Sequence, residues 1–149
     1  MLEREALSAL IPHQGDMCLL DRVVEWHNDR IVLTTSTHRS LSNPLRLNNR
    51  LSAIHLCEYG AQAMAVHGGL SAQAEGRRAT SGFLVSLREV KLNIGFVDHL
   101  TGDLQVTAQR LLETTASGQY SFTVEHAGEL LATGRAAIIA RDQTAERLP

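Results

Sequence analysis

The sequence has little cysteine, little net charge and no long apolar run. Cys18 and Cys57 are the only cysteines among 149 residues, and no C-x-x-C motif is present. Such spacing argues against a disulfide framework and against a structural zinc site, and it predicts a reducing compartment. The formal net charge is −2, with charges scattered along the chain. This excludes the basic stripe that nucleic-acid binding requires.

No stretch approaches the ~18 consecutive apolar residues of a membrane span. The N-terminus, MLEREALSAL, is acidic and amphipathic, which is unlike a secretion signal. We therefore expect a cytoplasmic, soluble protein. A chain of this length buries roughly 70% of the surface that its unfolded form exposes. With 44% hydrophobic residues, residues 1–149 are expected to form a single domain around one core.

Apolar periodicity predicts a short helix, two strands, a long helix and four further strands. A helix is expected over Glu3–Ile11, and a loop over Arg39–Asn49 should lead into a long helix. Ser52 can cap that helix, and Gly68-Gly69 should end it. The strands are expected over residues 17–26, 30–38, 80–94, 104–114, 119–126 and 130–140, with turns at HND, ASG and AGE and a polar tether, SAQAEGRR, after the helix. Strands segregated from one dominant helix indicate an α+β fold with an antiparallel sheet.

The long helix, LSAIHLCEYGAQAMAVHGGL, is built mainly from small residues, which allow strands to approach it closely. Glu58 interrupts this pattern. An ionised carboxylate in a core costs several kcal/mol unless it is paired or reaches solvent through a cleft. His55 and Gln62 lie three and four residues away, on the same side of the helix. The spacing therefore predicts a polar site around Glu58.

Two simpler interpretations stand beside this one. The three polar residues could form a solvated stripe, which helical spacing alone does not exclude. The H-x-x-E spacing could be half of a metal site, but no other clustered His, Asp or Glu motif completes it, so no metal is expected. The remaining histidines fall mainly in loops or at element ends, where solvation is the default; they are His13, His27, His38, His67, His99 and His126.

Several stretches resemble the 3-hydroxyacyl-(acyl carrier protein) dehydratases of type II fatty-acid synthesis. LIPHQGDMCLLDRVVEW resembles their opening signature, L-x-P-H-x-x-P-F-x-L-x-D-R-V, and EYGAQ resembles the E-A-x-A-Q run on their central helix. SGFLVSLREVKLNIGFVDHLTGDLQVTAQRLL is similar to their following strands. The resemblance covers the chain from about Ala6 to Ala140. It implies the hotdog fold, in which an antiparallel β-sheet wraps around one long central helix, usually in dimers.

The same resemblance implies that Glu58 is the catalytic glutamate. The family also has a catalytic histidine ahead of the helix, in a G-H-F-P-G segment, but Pro44 stands at the corresponding place here. This departure resembles a divergent branch, the predicted dehydratases of aryl polyene pigment clusters. The expected reaction is removal of water from a 3-hydroxyacyl thioester in fatty-acid or polyketide and polyene biosynthesis. The substrate is expected on the phosphopantetheine of an acyl carrier protein or on coenzyme A, with no other cofactor.

Dehydration needs a base, an acid and a stabiliser for negative charge on the thioester oxygen. Glu58 is expected to be the acid, and Gln62 to orient it or simply to pack. Free backbone N–H groups of Ser52, Ala53 and Ile54 could hold the thioester oxygen at the helix start. His55, or alternatively His38, is the candidate base, because these are the nearest imidazoles and imidazole has a suitable pKa.

Two alternative functions remain open. A hotdog protein with one carboxylate could be an acyl thioesterase, in which Glu58 activates water or attacks the thioester carbonyl. The chain could also be a non-catalytic acyl-binding subunit of a dehydratase heteromer. Exposed sheet edges favour association, so a homodimer or a hetero-oligomer with a related hotdog subunit is expected. An acidic carrier protein would dock on basic residues; the candidates are Arg46, Arg50, Arg77 and Arg78.

Overall fold

The computed structural model describes residues 2–11, 15–76, 82–114 and 117–140. Two helices and six strands follow in the predicted order: α1 (Arg4–Ser8), β1 (Arg22–His27), β2 (Arg30–Thr35), α2 (Leu56–Ala74), β3 (Gly82–Leu92), β4 (Leu104–Glu113), β5 (Ser117–His126) and β6 (Glu129–Ala140). Short 3-10 turns lie at Gly15–Met17, Thr37–Arg39 and Ala53–His55. Arg77, Arg78 and parts of the predicted tether, third strand and ASG turn fall outside the described residues.

The six strands form one antiparallel sheet in the order β1-β2-β4-β5-β6-β3. After β2 the chain forms α2 and then β3, which lies at the edge of the sheet opposite to β1. The next strand, β4, pairs with β2 near the other edge. The predicted AGE hairpin is confirmed, with Ala127 and Gly128 both at positive φ. Two such residues make the tight turn whose twist matches that of the flanking strands.

Helix α2 lies across this sheet and packs against β2, β4, β5 and β6. The contact is close because Gly60 carries no side chain: an added Cβ would lie 2.5 Å from Cγ of Phe122 on β5. Gly134 on β6 accommodates the other end of the same ring, since a Cβ there would lie 2.6 Å from Phe122 Cζ. An antiparallel sheet around one long helix is the hotdog fold, as the resemblance implies.

The predicted end of the long helix at Gly68-Gly69 is wrong, because α2 continues to Ala74. Gly69 instead allows a close approach of the N-terminal segment, with Leu10 Cβ only 3.3 Å from where a Cβ would stand. The chain turns away at Gly76, which has a φ of +68°. A left-handed glycine does end the helix, as expected from helix-capping rules, but it is a later one.

The first helix and first strand are shorter than predicted, since α1 ends at Ser8 and β1 begins at Arg22.

The prediction that the remaining histidines are solvated is wrong for two of them, because His38 and His67 are both fully buried. None of the helices in the described part of the chain combines the length and the apolar content of a membrane-spanning segment.

Candidate active site

Hydrogen bonds within the 3-10 turn, and one to the segment before β4, fix the residues that precede α2. Ser52 caps the 3-10 turn Ala53–His55 and not, as was predicted, α2 itself; its Oγ accepts from the Ile54 N–H at 3.4 Å, and the N-cap residue of α2 is His55. The Ala53 N–H donates to the Gly95 carbonyl at 2.9 Å, and the His55 N–H donates to the Ser52 carbonyl at 3.1 Å. The N–H groups of Ala53 and Ile54, which were predicted to be free, thus have acceptors within the protein. Oxyanion binding by these N–H groups stays a prediction.

Glu58 lies in the first turn of α2 and is half-buried. Its Oε1 accepts a hydrogen bond from Nε2 of Gln62 at 3.3 Å, so the four-residue spacing does bring the two side chains together. Gln62 is fully buried. Its Nε2 also donates to the Met17 carbonyl at 2.7 Å, and its Oε1 accepts from the Leu19 N–H at 2.9 Å. Because Gln62 is enclosed and fully bonded, the interpretation of the three residues as a solvated stripe is wrong for this position.

A second polar cluster holds the loop that carries Pro44. Tyr59, the residue after Glu58, is fully buried, and its hydroxyl lies 2.8 Å from Oγ1 of Thr37. The side-chain amide of Asn43 donates to the same hydroxyl at 3.1 Å and to the Thr37 carbonyl at 3.0 Å. Burial raises the pKa of Tyr59, so the hydroxyl stays protonated. The loop with the missing histidine is therefore tied to α2 beside Glu58.

Sequence reasoning missed this cluster. Its signals were Tyr59 within EYGAQ and the Asn43-Pro44 pair, which is typical of a turn. The sequence does not show that Asn43 and Tyr59 are in contact, because 16 residues separate them.

The two candidate bases occupy different environments. His55 is partly exposed at the end of the 3-10 turn, three residues before Glu58. His38 is fully buried, and its Nε2 lies 2.9 Å from the Leu100 carbonyl. Burial lowers the pKa of His38, and its Nδ1 has no hydrogen-bond partner among the described residues. A base must reach its substrate, so the enclosed ring of His38 is poorly placed for that task.

Neither a reactive cysteine nor a cluster of metal-binding side chains accompanies Glu58 among the described residues. Cys57 is half-buried, and burial raises the pKa of its thiol, which keeps the less reactive protonated form. Within the described ranges, no group of three or more His, Cys, Asp or Glu side chains is arranged to hold a metal ion.

The two described arginines proposed for carrier docking make contacts within the chain. Arg46 donates to the carbonyl of Asn49 at 2.9 Å and to that of Ser40 at 3.4 Å. Nε of Arg50 lies 3.1 Å from Oδ1 of Asp98, and its guanidinium stacks 4.1 Å from the Phe96 ring centroid. Both side chains brace the loops around the start of α2, and docking on them stays a prediction.

A family model described as ApeP-like, ApeP dehydratase, matches residues 5–148. The chain belongs to the ApeP-like dehydratase family. Among curated proteins, none matches the sequence significantly. The family match confirms the divergent, aryl polyene-type branch that the residues indicated.

Solved structures similar to this ApeP-like chain share its fold. The dehydratase heterocomplex ApeI:P from Xenorhabdus doucetiae matches with a TM-score of 0.82 and 21% identity, over 93% of this chain and 92% of that one. S. sahachiroi AziG has a TM-score of 0.64 and 17% identity, over 88% and 97%. A mutant hypothetical thioesterase from Streptococcus pneumoniae TIGR4 has a TM-score of 0.60 and 10% identity, over 82% and 90%. At these identities the similarity shows the fold alone.

Proposed function

We propose that this ApeP-like chain removes water from a 3-hydroxyacyl thioester, with Glu58 as the acid, as one subunit of a heteromer. The substrate would be carried on the phosphopantetheine of an acyl carrier protein or on coenzyme A. The observation that carries the proposal is the half-buried carboxylate of Glu58, held by the fully buried amide of Gln62, in a chain of a dehydratase family.

In this reaction a base removes a proton from C2, the C2–C3 double bond forms, and the C3–O bond breaks. Glu58 donates its proton to the departing hydroxyl, which leaves as water. Transfer of the proton from the base back to Glu58 would complete the cycle. General acid–base catalysis of this kind contributes about 10²–10⁴-fold in rate. Gln62 serves the carboxyl as a positioning residue, because its remaining hydrogen bonds fix it to the segment before β1.

The proposed source of the base is a related hotdog subunit. Pro44 lies where the resembling family has its histidine, and the ring of His38 is enclosed. His55 is the residue that precedes α2, three positions before Glu58, so it would approach a bound substrate from the same side as the acid. The structure from Xenorhabdus doucetiae is named as a dehydratase heterocomplex of two components. By analogy, we expect a second hotdog chain to complete this site.

The test is mass spectrometry of a 3-hydroxyacyl carrier protein, incubated with this chain alone and with this chain co-purified with a second, related hotdog subunit. We expect loss of water from the substrate only with the heteromer, and a loss of rate of at least about 100-fold for Glu58→Gln in that heteromer. Glu129→Gln, which changes an exposed glutamate at the start of β6, is the matched control and should keep full activity.

Other outcomes point to the alternatives. Release of the free thiol without an enoyl product would make the chain a thioesterase. A fully active Glu58→Gln heteromer would make it a non-catalytic acyl-binding subunit. Dehydration by the chain alone that is lost in His55→Ala would assign the base to His55, against the heteromer.

A further inference from the structure

Two leucines on the loop between β2 and α2 are far more exposed than any other large apolar residue that the structure describes. Leu41 is 83% exposed and Leu47 is 73% exposed, whereas the next value is 54%, for Leu112. A single exposed leucine needs no explanation, but a contiguous apolar surface marks a site of interaction. What the two leucines signify depends on whether they adjoin other exposed apolar side chains.

A single guanidinium joins the two limbs of the loop that carries these leucines. Arg46 donates to the Ser40 carbonyl, next to Leu41, at 3.4 Å and to the Asn49 carbonyl at 2.9 Å. Its acceptors within the described residues are all carbonyl groups, so no carboxylate neutralises its charge there. The loop therefore has a fixed shape around a cation that a carboxylate of another protein could approach.

The tip of the loop is a closed two-residue turn. The Leu47 N–H donates to the Arg50 carbonyl at 2.9 Å, and the Arg50 N–H donates to the Leu47 carbonyl at 3.0 Å. Asn48 and Asn49 between them have φ values of 52° and 62°, which asparagine tolerates well in such turns. Leu47 is thus presented on a preformed turn, so contact with another molecule costs little conformational freedom.

The exposed surface continues from Leu47 onto the segment before β4. Leu47 and Arg50 face each other in the turn, and paired residues have adjacent side chains. The Arg50 guanidinium in turn lies 4.1 Å from the ring centroid of Phe96, which is itself exposed. One arginine therefore connects the two apolar side chains.

The same surface reaches the turn of helix that carries Glu58. Phe96 forms a backbone bridge with Ser52, whose Oγ accepts from the Ile54 N–H. Ile54 is exposed and precedes Glu58 by four residues, the spacing that brings side chains together on a helix. These exposed apolar side chains form a strip that ends beside the proposed acid; the apolar strip consists of Leu41, Leu47, Phe96 and Ile54.

We propose that the apolar strip is the surface on which the second, related hotdog subunit docks, an inference that rests on the proposed function. A subunit that brings a base to Glu58 must cover the surface beside this carboxylate, and the apolar strip is such a surface. We expect the docking surface of the second subunit to be apolar, with a carboxylate opposite Arg46.

The experiment measures the affinity of the second subunit separately from the reaction. The subunit co-purified in the dehydration test is labelled with a fluorophore, and its dissociation constant for the wild type, Leu41→Asp and Leu47→Asp is measured by sedimentation. An aspartate puts a charge into an apolar contact, so each variant should bind at least about 30-fold more weakly. At saturating second subunit both variants should regain dehydration, because Glu58 is unchanged.

Leu112→Asp is the matched control. It changes the next most exposed leucine, near the end of β4, the strand whose Arg110 contacts Ser71 in the C-terminal half of α2. Its affinity should equal that of the wild type. Thermal unfolding of all three variants checks that the fold is kept, as expected for exposed positions.

Unchanged affinity in both loop variants, an equal loss in Leu112→Asp, or no binding by the wild type would overturn the proposal. Loop variants that bind the subunit normally but fail with carrier-bound substrate would assign the strip to the carrier protein instead. A wild-type chain that self-associates, and that Leu47→Asp makes monomeric, would assign it to a second copy of this chain. A heteromer that forms through the strip but removes no water would refute the proposed function and support the docking surface.

Discussion

The side-chain amide nitrogen of Gln62 lies 3.3 Å from Oε1 of Glu58. The same amide group is bonded to the main chain of Met17 and Leu19, more than forty residues earlier in the sequence. The candidate acid and the segment before β1 are thus joined through one buried side chain, and the stability of the fold depends on the same group that positions the carboxyl.

Replacing Gln62 by Met should therefore lower stability as well as activity. Met has a similar length but leaves the Leu19 N–H and the Met17 carbonyl without partners, and each unsatisfied buried group costs about 1–3 kcal/mol. We expect the free energy of unfolding in urea to fall by about 2–5 kcal/mol. Gln73→Met, on the exposed end of α2, is the control and should change it by less than about 0.5 kcal/mol. Equal effects of the two substitutions would contradict the buried bonds.

Two glycines of α2 should respond in opposite directions to substitution by alanine. At Gly60 the new Cβ would lie 2.5 Å from the Phe122 ring, whereas at Gly68 no atom lies within 4 Å. Overpacking costs about 1–3 kcal/mol, while replacing a helical glycine by alanine in open space gains about 0.5–1 kcal/mol. Thermal unfolding of the two variants should show Gly60→Ala below the wild type and Gly68→Ala above it.

A double variant tests the cause at Gly60. Replacing the ring by Phe122→Ala removes the clashing Cγ and Cδ atoms, so Gly60→Ala should cost less in that background than in the wild type. Simple additivity would indicate that the strain at Gly60 has another source.

The buried ring of His67 makes stability depend on pH. Since a carbonyl only accepts, Nε2 carries the proton toward His27, and the neutral ring accepts at Nδ1 from Tyr120. Burial, the largest cause, lowers the pKa of His67 below its ordinary value of 6.5, and the nearby Arg110 lowers it further. The unfolded chain then binds a proton at a higher pH than the folded chain does. Stability from this group is full above pH 6.5 and is lost as the pH falls through the folded pKa.

His67→Gln removes this titration. The free energy of unfolding of the wild type should exceed that of His67→Gln by more at pH 8 than at pH 5.5, measured in urea at both values. His38, whose pKa burial also lowers, is present in both proteins and cancels in the comparison. A difference that stays constant with pH would contradict the neutral, buried state of His67.

Asp98 connects the segment before β4 to the residues that precede α2. Its Oδ1 accepts from the Leu51 N–H at 3.0 Å and from Arg50 at 3.1 Å, and the Leu51 bond is the largest cause of its lowered pKa. Because Arg50 is 48% exposed, the ion pair should contribute no more than about 1 kcal/mol. Asp98→Asn keeps an acceptor for Leu51 and should destabilise less than Asp98→Ala does.

Salt separates the two contributions of Asp98. Raising the ionic strength screens the ion pair but not the Leu51 bond, so the difference in melting temperature between the wild type and Asp98→Asn should shrink at 1 M salt. The difference between Asp98→Asn and Asp98→Ala should persist, since both variants lack the charge.

The secondary structure was largely predictable from the sequence, and the wrongly predicted helix end shows why the rest was not. The number and order of helices and strands follow from local apolar periods. The Gly68-Gly69 pair predicts a helix end, because glycine often ends helices, yet Gly69 serves a tertiary contact with Leu10. Local rules cannot distinguish a glycine that ends a helix from one that admits a neighbour.

The sequence by itself determined the element types and the pairing of Glu58 with Gln62, because the geometry of one helical turn places residues four apart side by side. Only the tertiary structure decided the strand order, the burial of His38 and His67, and the bonds from Gln62 to the segment before β1. It also joined His67 to Tyr120, which is 53 residues later. Such contacts depend on the strand register and on how the whole chain buries its apolar surface, and no short stretch of sequence contains that information.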